Sequence, residues 1–355
     1  MKNQLEKEPA PVETGSQSKP ASRFLELDAL RGLAVLAVIL FHYSTRYNQV
    51  FGHLRQPFPL DFKYGYFGVN LFFIISGFVI FMTIENTTKI RVFVFKRFAR
   101  LYPAYWFSAL LTFTIVRLVA LPGQFISRQV LLVNLSMFQG FFGIQDVDGA
   151  YWSLAMELAF YLLIAVAAWF KWMKHAEFMG FFWIALAVLL QLSGVTFQNP
   201  ILAVFKLFFR DYAAYFVLGM MFFKLYGQNH WHYHLVIAVT LAYEVIFQGW
   251  LNAGVMVLFI IILYLLIHGK LGFLRNRIVI FIGTISYSLY LVHQNLGYVI
   301  IRALENLGLI SAWGLLIPFS AMIVLASAIT FGIEKPAQRA LLKCFSIVQS
   351  RRTSR

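Results

Sequence analysis

Long apolar runs separated by short polar segments recur along this chain from about residue 26 to residue 333. Runs of this length cross a bilayer as helices. The spacing predicts about ten spans, near 26–45, 67–84, 101–120, 151–170, 178–195, 211–226, 234–249, 251–268, 281–300 and 312–333. Lipid offers backbone polar groups no partner, so the expected fold class is all-α, a polytopic integral membrane helical bundle. The largest intervening segments, 46–66 and 121–150, are too short for a separate catalytic domain, and no internal repeat is visible. The stretch 127–143 is expected to lie along the outer interface or to dip back into the bilayer. Chemistry must then come from the bundle itself.

The polar ends complete this organisation. Residues 1–23 are rich in Pro, Glu, Lys and Ser and read as a disordered cytoplasmic tail. Residues 24–335 form the transmembrane domain and 336–355 a basic cytoplasmic tail. With the N-terminus inside, the inner segments hold 21 Lys and Arg residues and the outer ones 8. That is the positive-inside bias, and it puts both termini in the cytoplasm. No short apolar segment with a cleavage site precedes the first span, so no cleaved signal peptide is expected.

Composition narrows the function classes. The chain is 60% hydrophobic, 18% aromatic and only 13% charged, outside the soluble globular range. A net charge of +15 could suggest nucleic acid, but it resides between apolar runs. Membrane lipids or an anionic cofactor are the better partners. The single cysteine, Cys344, excludes internal disulfides and a cysteine-rich metal site. His230, His232 and His234 alternate in HWHYH as ligands on a strand would, yet they fall in a short predicted loop, and no metal is expected.

Ionisable residues inside apolar runs are functional candidates by default. Arg31 and His42 share the first span, LDALRGLAVLAVILFHYS. Eleven residues of helix is about 16 Å of rise and about 20° of net rotation, so both point the same way. Val35 and Val38 lie between them, as the wall of a narrow tunnel would. A snorkelling arginine paired with Asp28 is the plainer account of Arg31. A structural histidine is the plainer account of His42.

The basic segment IRVFVFKRFARLYPAYW is expected as an inner loop, and topology alone explains its charge. Arg97 and Arg100 at i, i+3 also put two guanidinium forks side by side, which suits phosphate. Glu157 lies two turns inside the fourth span, where a carboxylate needs a partner. Its predicted depth matches those of His42 and His293, and three such groups together could form a general-base site. Tyr151 and Trp152 read as interface aromatics. Ser76 in FFIISGFVI fits a nucleophile or a close-packing position.

Taken in order, LDALRGLAVLAVILFHY, FGVNLFFIISGFVI, FKRFARLYPAYW, YWSLAMELAFYL, ISYSLYLVH and FGIEKPAQR resemble the integral-membrane acyltransferase-3 family. That family O-acylates bacterial glycans and related acceptors, and the likeness covers essentially the whole membrane region. It implies a multi-pass protein of the bacterial inner membrane that carries an acyl group from cytoplasmic acyl-CoA to an outer acceptor. The family's Arg-x10-His spacing falls on Arg31 and His42, and its Arg-x-x-Arg motif on Arg97 and Arg100. Family members often have an acidic pair where this chain has Glu157 and Leu158, and Asp where it has Asn70. Some relatives carry a fused SGNH-type domain, and this chain shows none. Direct acylation of the acceptor, or a separate periplasmic partner, is therefore expected.

The resulting expectation is O-acetyl transfer from acetyl-CoA to a glycan, free or lipid-linked. Arg97 and Arg100 hold the phosphates, Arg31 grips further in, and the pantetheine arm follows Val35 and Val38. His42 is the general base, Glu157 orients it, and His293, Ser76 and Asp28 support the acceptor or the first groups. An acyl-enzyme on His42 or Ser76 is a second chemical route. A non-enzymatic transporter or flippase of lipid-linked glycans is the rival class, since Arg, His and Glu equally line a polar path. A glycan polymerase would need larger outer loops.

Overall fold

A computed structural model describes residues 24–53, 60–87, 89–194 and 199–353; the expected disordered tail 1–23 lies outside them. In chain order the α-helices are α1 (Leu25–Phe41), α2 (Tyr47–Phe51), α3 (Phe67–Glu85), α4 (Ile90–Val119), α5 (Arg128–Asn134), α6 (Trp152–Trp169) and α7 (Ala176–Leu192). They continue with α8 (Pro200–Lys206), α9 (Ala213–Gly227), α10 (Trp231–Tyr243), α11 (Trp250–Ile267), α12 (Arg277–Asn306), α13 (Leu316–Ile329) and α14 (Lys335–Thr353). The described residues contain no strand. All ten apolar stretches are helical. Six helices among the described residues are long and apolar enough to cross a membrane. The shortfall has a physical cause: α1, α9 and α10 are only 17, 15 and 13 residues long. α12 is longer, but it carries Ser, Tyr, His, Gln and Asn through its middle.

The core lies around α3, α9 and the middle of α12, whose side chains are almost all buried. Small residues let the backbones approach, as packing without a hydrophobic driving force requires. Gly283 of α12 rests on the Asp28 carbonyl of α1, and Gly32 faces the Val279 carbonyl. Gly77 of α3 and Gly219 of α9 make the matching crossing. α7 and α11 instead present Phe178, Phe182, Leu189, Leu251, Leu258 and Ile261 outward, as lipid-facing helices do.

One expectation changes. The basic segment 89–100 is not a loop, because α4 starts at Ile90 and runs through Pro103. Phe93, Arg97, Leu101, Ala104 and Ser108 recur at helical spacing, and all but Arg97 are fully buried, so this face packs inward. The residues 127–143 form α5 and a 3₁₀ turn at Gln139–Phe142. Asn134 anchors them, donating to the Gln145 carbonyl and accepting from the Val147 amide. The basic tail is α14, and its Phe345 stacks on Phe95 of α4 at 4.2 Å.

α-Helical winding is interrupted by π turns at His42–Arg46, Leu207–Asp211, Glu244–Gln248 and Thr330–Glu334. Such turns widen the helix by one residue and recur at functional sites. The first begins at His42.

Candidate active site

Five helices converge on one buried cavity. α1 supplies Arg31, α3 Ser76, α4 Arg97 and Arg100, α6 Glu157 and Tyr161, and α12 Tyr287 and Tyr290. Glu157 Oε1 accepts hydrogen bonds from Ser76 Oγ at 2.7 Å and from Tyr161 Oη at 2.5 Å. Arg97 Nη2 donates to Thr83 Oγ1 at 3.1 Å, and its guanidinium lies 5.6 Å and 5.7 Å from the Phe93 and Tyr161 rings. Its Nε is buried with no partner. Arg31 Nη1 lies 3.4 Å from Asp28 Oδ1, the i, i+3 pair expected of a snorkelling arginine, yet the residue also faces the cavity. Arg100 interacts electrostatically with both Arg31 and Arg97. Three guanidinium groups thus face Glu157, with Asp28 alongside. Glu157 and Asp28 offset part of this crowded positive charge, and the arrangement suits an added anion.

His42 lies in a second cavity of about 340 Å³, with Phe41, Arg46, Tyr66, Asn70, Trp152, Tyr212 and Gln294. Its Nδ1 is 2.9 Å from the Val38 carbonyl oxygen and 3.2 Å from His293 Nε2. A carbonyl only accepts, so neutral His42 carries its proton on Nδ1. His293 Nδ1 is 2.8 Å from the Tyr290 carbonyl, which fixes the same tautomer there and leaves Nε2 to accept from His42. The nitrogen of His42 left for a substrate is Nε2, unprotonated, as a general base must be. His293 is fully buried, and hydrogen bonds from Tyr43 Oη to its carbonyl and from Tyr151 Oη to Leu291 O hold this stretch of α12. The two cavities share Val69 and Tyr290 as walls.

The segment before α6 is tied to the same helix. Asp148 accepts from the amides of Ala150 and Asn295, and Asn295 Nδ2 donates to the Val147 carbonyl. Nearby, burial pushes the Asp146 carboxyl up to about 6, against the opposing hydrogen bond from Gln139.

The structure thus brings Arg31, Arg97, Arg100, Glu157 and Ser76 to one cavity, and His42 against His293 in the next. Two expectations are corrected. Glu157 does not orient His42: its bonds run to Ser76 and Tyr161, and His293 takes the place beside His42. The cause is depth, since Glu157 faces the arginine cavity one helical turn beyond Ser153, whose hydroxyl meets Tyr290. Val35 and Val38 do not line a tunnel: both are fully buried, and Gly68 of α3 packs on Ala34 and Val38. The residues common to the two cavities, Val69 and Tyr290, come from α3 and α12 instead.

Other candidates lie elsewhere. His232 and His234 are on α10 with His230 just before it, and His234 bonds Tyr264 Oη and Asn229. Among the described residues no group of three or more His, Cys, Asp or Glu could hold a metal ion. Tyr151, expected at the interface, is fully buried, and Trp152 lines the His42 cavity. Tyr161, Ser286, Tyr290 and Gln294 were not legible as site residues. Ser286, Tyr290, His293 and Gln294 do recur at spacings of three and four in α12, a polar stripe in an apolar helix that marks an inward face.

Comparison with known proteins places residues 24–334 within the model of an acyltransferase domain family. The chain is 27% identical over 181 residues to the peptidoglycan O-acetyltransferase OatA of Listeria monocytogenes, covering 43% of this chain and 26% of that protein. It is 27% identical over 190 residues to the acyltransferase MdmB of Streptomyces mycarofaciens, covering 50% of this chain and 48% of MdmB. A third relative, protein 2 in the picA locus of Rhizobium radiobacter, is 39% identical over 95 residues, covering 25% and 44% of the two chains. The matches thus span less than half the length of these relatives. No solved structure matches.

Proposed function

The chain belongs to the acyltransferase-3 family, and from that premise we propose that it moves an acyl group, acetyl by default, from cytoplasmic acyl-CoA to a hydroxyl of a cell-envelope glycan. In this reading ten helices span the bacterial inner membrane and both termini face the cytoplasm. The observation that carries it is the pair of adjoining cavities: three guanidinium groups face one, His42 faces the other, and Val69 and Tyr290 belong to both.

The chemistry follows from the residues. Phosphates of acyl-CoA need cations in a place shielded from water, which Arg31, Arg97 and Arg100 supply. Glu157 balances part of that charge when the site is empty. The thioester then reaches the boundary at Val69 and Tyr290. An acceptor hydroxyl in the second cavity attacks the thioester carbon while His42 Nε2 takes its proton. The C–S bond breaks, and the proton passes to the departing thiolate, giving ester and free CoA. His42 is an imidazolium between these steps, and its Nδ1–H then strengthens its bonds to Val38 O and His293 Nε2. The likeness to OatA, a peptidoglycan O-acetyltransferase, supports a glycan as acceptor.

Purified protein in lipid vesicles tests the reading. His42→Ala should abolish acceptor-dependent CoA release while leaving acyl-CoA binding intact. Near-normal turnover in that variant would refute the general-base assignment. A transporter would release no CoA at all. A second route has its own support, because Ser76 Oγ donates to Glu157 at 2.7 Å beside the arginines, a hydroxyl next to a carboxylate base. Labelled acyl-protein trapped without acceptor, and lost in Ser76→Ala, would favour it.

A further inference from the structure

Beside the arginine cavity, between α4 and α6, runs a groove of about 230 Å³. Phe93, Val94, Phe98 and Tyr102 of α4 form one wall, and Leu158 and Leu162 of α6 face them. Val94 and Leu162 are exposed, so the groove opens sideways, which for a membrane bundle means towards lipid. Another hollow, beside Trp172 and Trp183, is lined by apolar residues alone. The α4–α6 groove carries a cation, because Arg97 lines it and the arginine cavity alike. The guanidinium lies 5.6 Å from the Phe93 ring and 5.7 Å from the Tyr161 ring, both walls of the groove. Helical side chains lean towards the helix N-terminus, and the contact with Phe93 puts the charge at that end. Lys89, Arg91 and Lys96, all exposed, add positive charge there. The hydroxyls that border the groove are already engaged: Tyr161 Oη donates to Glu157 and Tyr102 Oη to the Ser136 carbonyl. From Val94 to Tyr102 the wall covers about 12 Å of helix. The chains of one leaflet span about 15 Å, half the hydrocarbon thickness.

We propose that this groove binds an anionic phospholipid, one acyl chain between α4 and α6 and the phosphate at Arg97, and that the bound lipid competes with the acyl donor. The lipid site stands on the groove and its cation, while the competition rests on the acyl-CoA reading. A purely apolar hollow takes any chain, whereas a guanidinium at one end selects an anionic head. A zwitterionic lipid brings a phosphate too, but its ammonium then meets the charges of Arg91 and Lys96 and is repelled. Four cations at one end also suit a phosphate, with its several acceptor oxygens, better than the lone carboxylate of a fatty acid. A lipid phosphate in the groove and a donor phosphate in the cavity would draw on the same guanidinium and repel each other. The lipid thus offsets the charge of Arg97 in the resting protein and gives way when the donor arrives. Donor affinity then depends on the composition of the surrounding leaflet.

The test places the full-length protein in nanodiscs of phosphatidylcholine, alone or mixed with phosphatidylglycerol. A trace of phosphatidylglycerol with a diazirine in its chain is photolysed, and the labelled peptides are mapped. Label should fall on α4 and α6 along the groove and decrease there when acetyl-CoA is added. Label at the Trp172–Trp183 hollow should not respond. Acetyl-CoA should bind about five- to tenfold more weakly in the mixed discs, as when lipid holds about eight or nine sites in ten. An anionic disc surface repels acetyl-CoA by itself, so Leu162→Trp, which fills the groove, serves as the control. It should bind acetyl-CoA as the wild type does in phosphatidylcholine, which shows that it is folded, and lose most of the effect of phosphatidylglycerol. Val94→Trp fills the groove from the other wall and replaces Leu162→Trp if that variant does not fold. The site is overturned if phosphatidylglycerol labels the groove no more than a phosphatidylcholine probe does, or if a photoactivatable fatty acid labels it and phosphatidylglycerol does not. The competition is overturned if acetyl-CoA leaves the label unchanged, or if the groove-filled variant weakens as much as the wild type. Groove labelling in a protein that binds acetyl-CoA in neither disc would leave the lipid site standing and overturn the acyl-CoA reading instead.

Discussion

His293 offers the sharpest trial of the catalytic geometry, since it touches His42 and takes no part in the arginine cavity. His293→Phe removes the Nε2 acceptor 3.2 Å from His42 Nδ1 but leaves the Val38 carbonyl at 2.9 Å. The tautomer of His42 therefore survives, and base function is not abolished. What is lost is one hydrogen bond to an imidazolium that exists only while the proton is in transit. Bonds to charged groups are worth about 1.5–3 kcal/mol, so kcat should fall about 10- to 150-fold. The Michaelis constant for acetyl-CoA should not move, because no donor-binding group is disturbed. His293→Gln keeps an acceptor at this position and should recover most of the rate. The assay is acceptor-dependent release of CoA, followed with a thiol reagent, alongside thermal melting in detergent. A loss of rate below about threefold would refute the shared proton. So would a loss matched by an equal rise in the Michaelis constant, or one that His293→Gln fails to relieve.

Three further outcomes follow. Arg97→Ala should raise the acetyl-CoA Michaelis constant about 10- to 100-fold with little change in kcat at saturation, the signature of lost ground-state binding, read from initial rates. Gly283→Ala should destabilise the bundle by about 1–3 kcal/mol, because its methyl group would press on the Asp28 carbonyl, whereas Gly254→Ala on α11, where nothing lies within 4 Å, should not; melting curves compare the two. Burial raises the Asp146 carboxyl to about 6, so its charged form is disfavoured in the folded protein and stability should decline as pH rises from about 4 to 6. Asp146→Asn keeps the acceptor for Gln139 and should flatten that decline by up to about 3 kcal/mol, seen as a smaller drop in melting temperature between acid and neutral pH.

Much of this fold is written in the sequence because lipid permits so few alternatives. Apolar runs become helices when the backbone has nowhere else to bond, and the ten expected runs fall on helices, although α4 begins at Ile90, well before its expected start at residue 101. The basic segment misled because charge reads as solvent exposure, while the apolar residues interleaved with it at helical spacing decide its structure. Arg31 was legible as an expensive residue inside an apolar run, and Arg97 and Arg100 by their i, i+3 spacing. Partnership was harder to read. Glu157, His42 and His293 have similar predicted depths, and only the packing of α3 between α1 and α6 sends Glu157 to the arginines and leaves the two imidazoles together. Gln294 escaped notice for a related reason: a single amide in the middle of α12 belongs to no motif, and only the structure shows its Oε1 buried without a partner.

Val69 and Tyr290, the walls common to both chambers, carry a consequence for selectivity. In the proposed reaction the acyl carbon meets the acceptor at this boundary, so whatever hangs beyond the carbon has to fit there too. The bore at this neck is therefore a size gauge. An aliphatic side chain facing a phenol ring admits a small appendage more readily than a bulky one. In that reading these two uncharged residues would decide whether sibling enzymes built on the same scaffold decorate their targets with two carbons or with more.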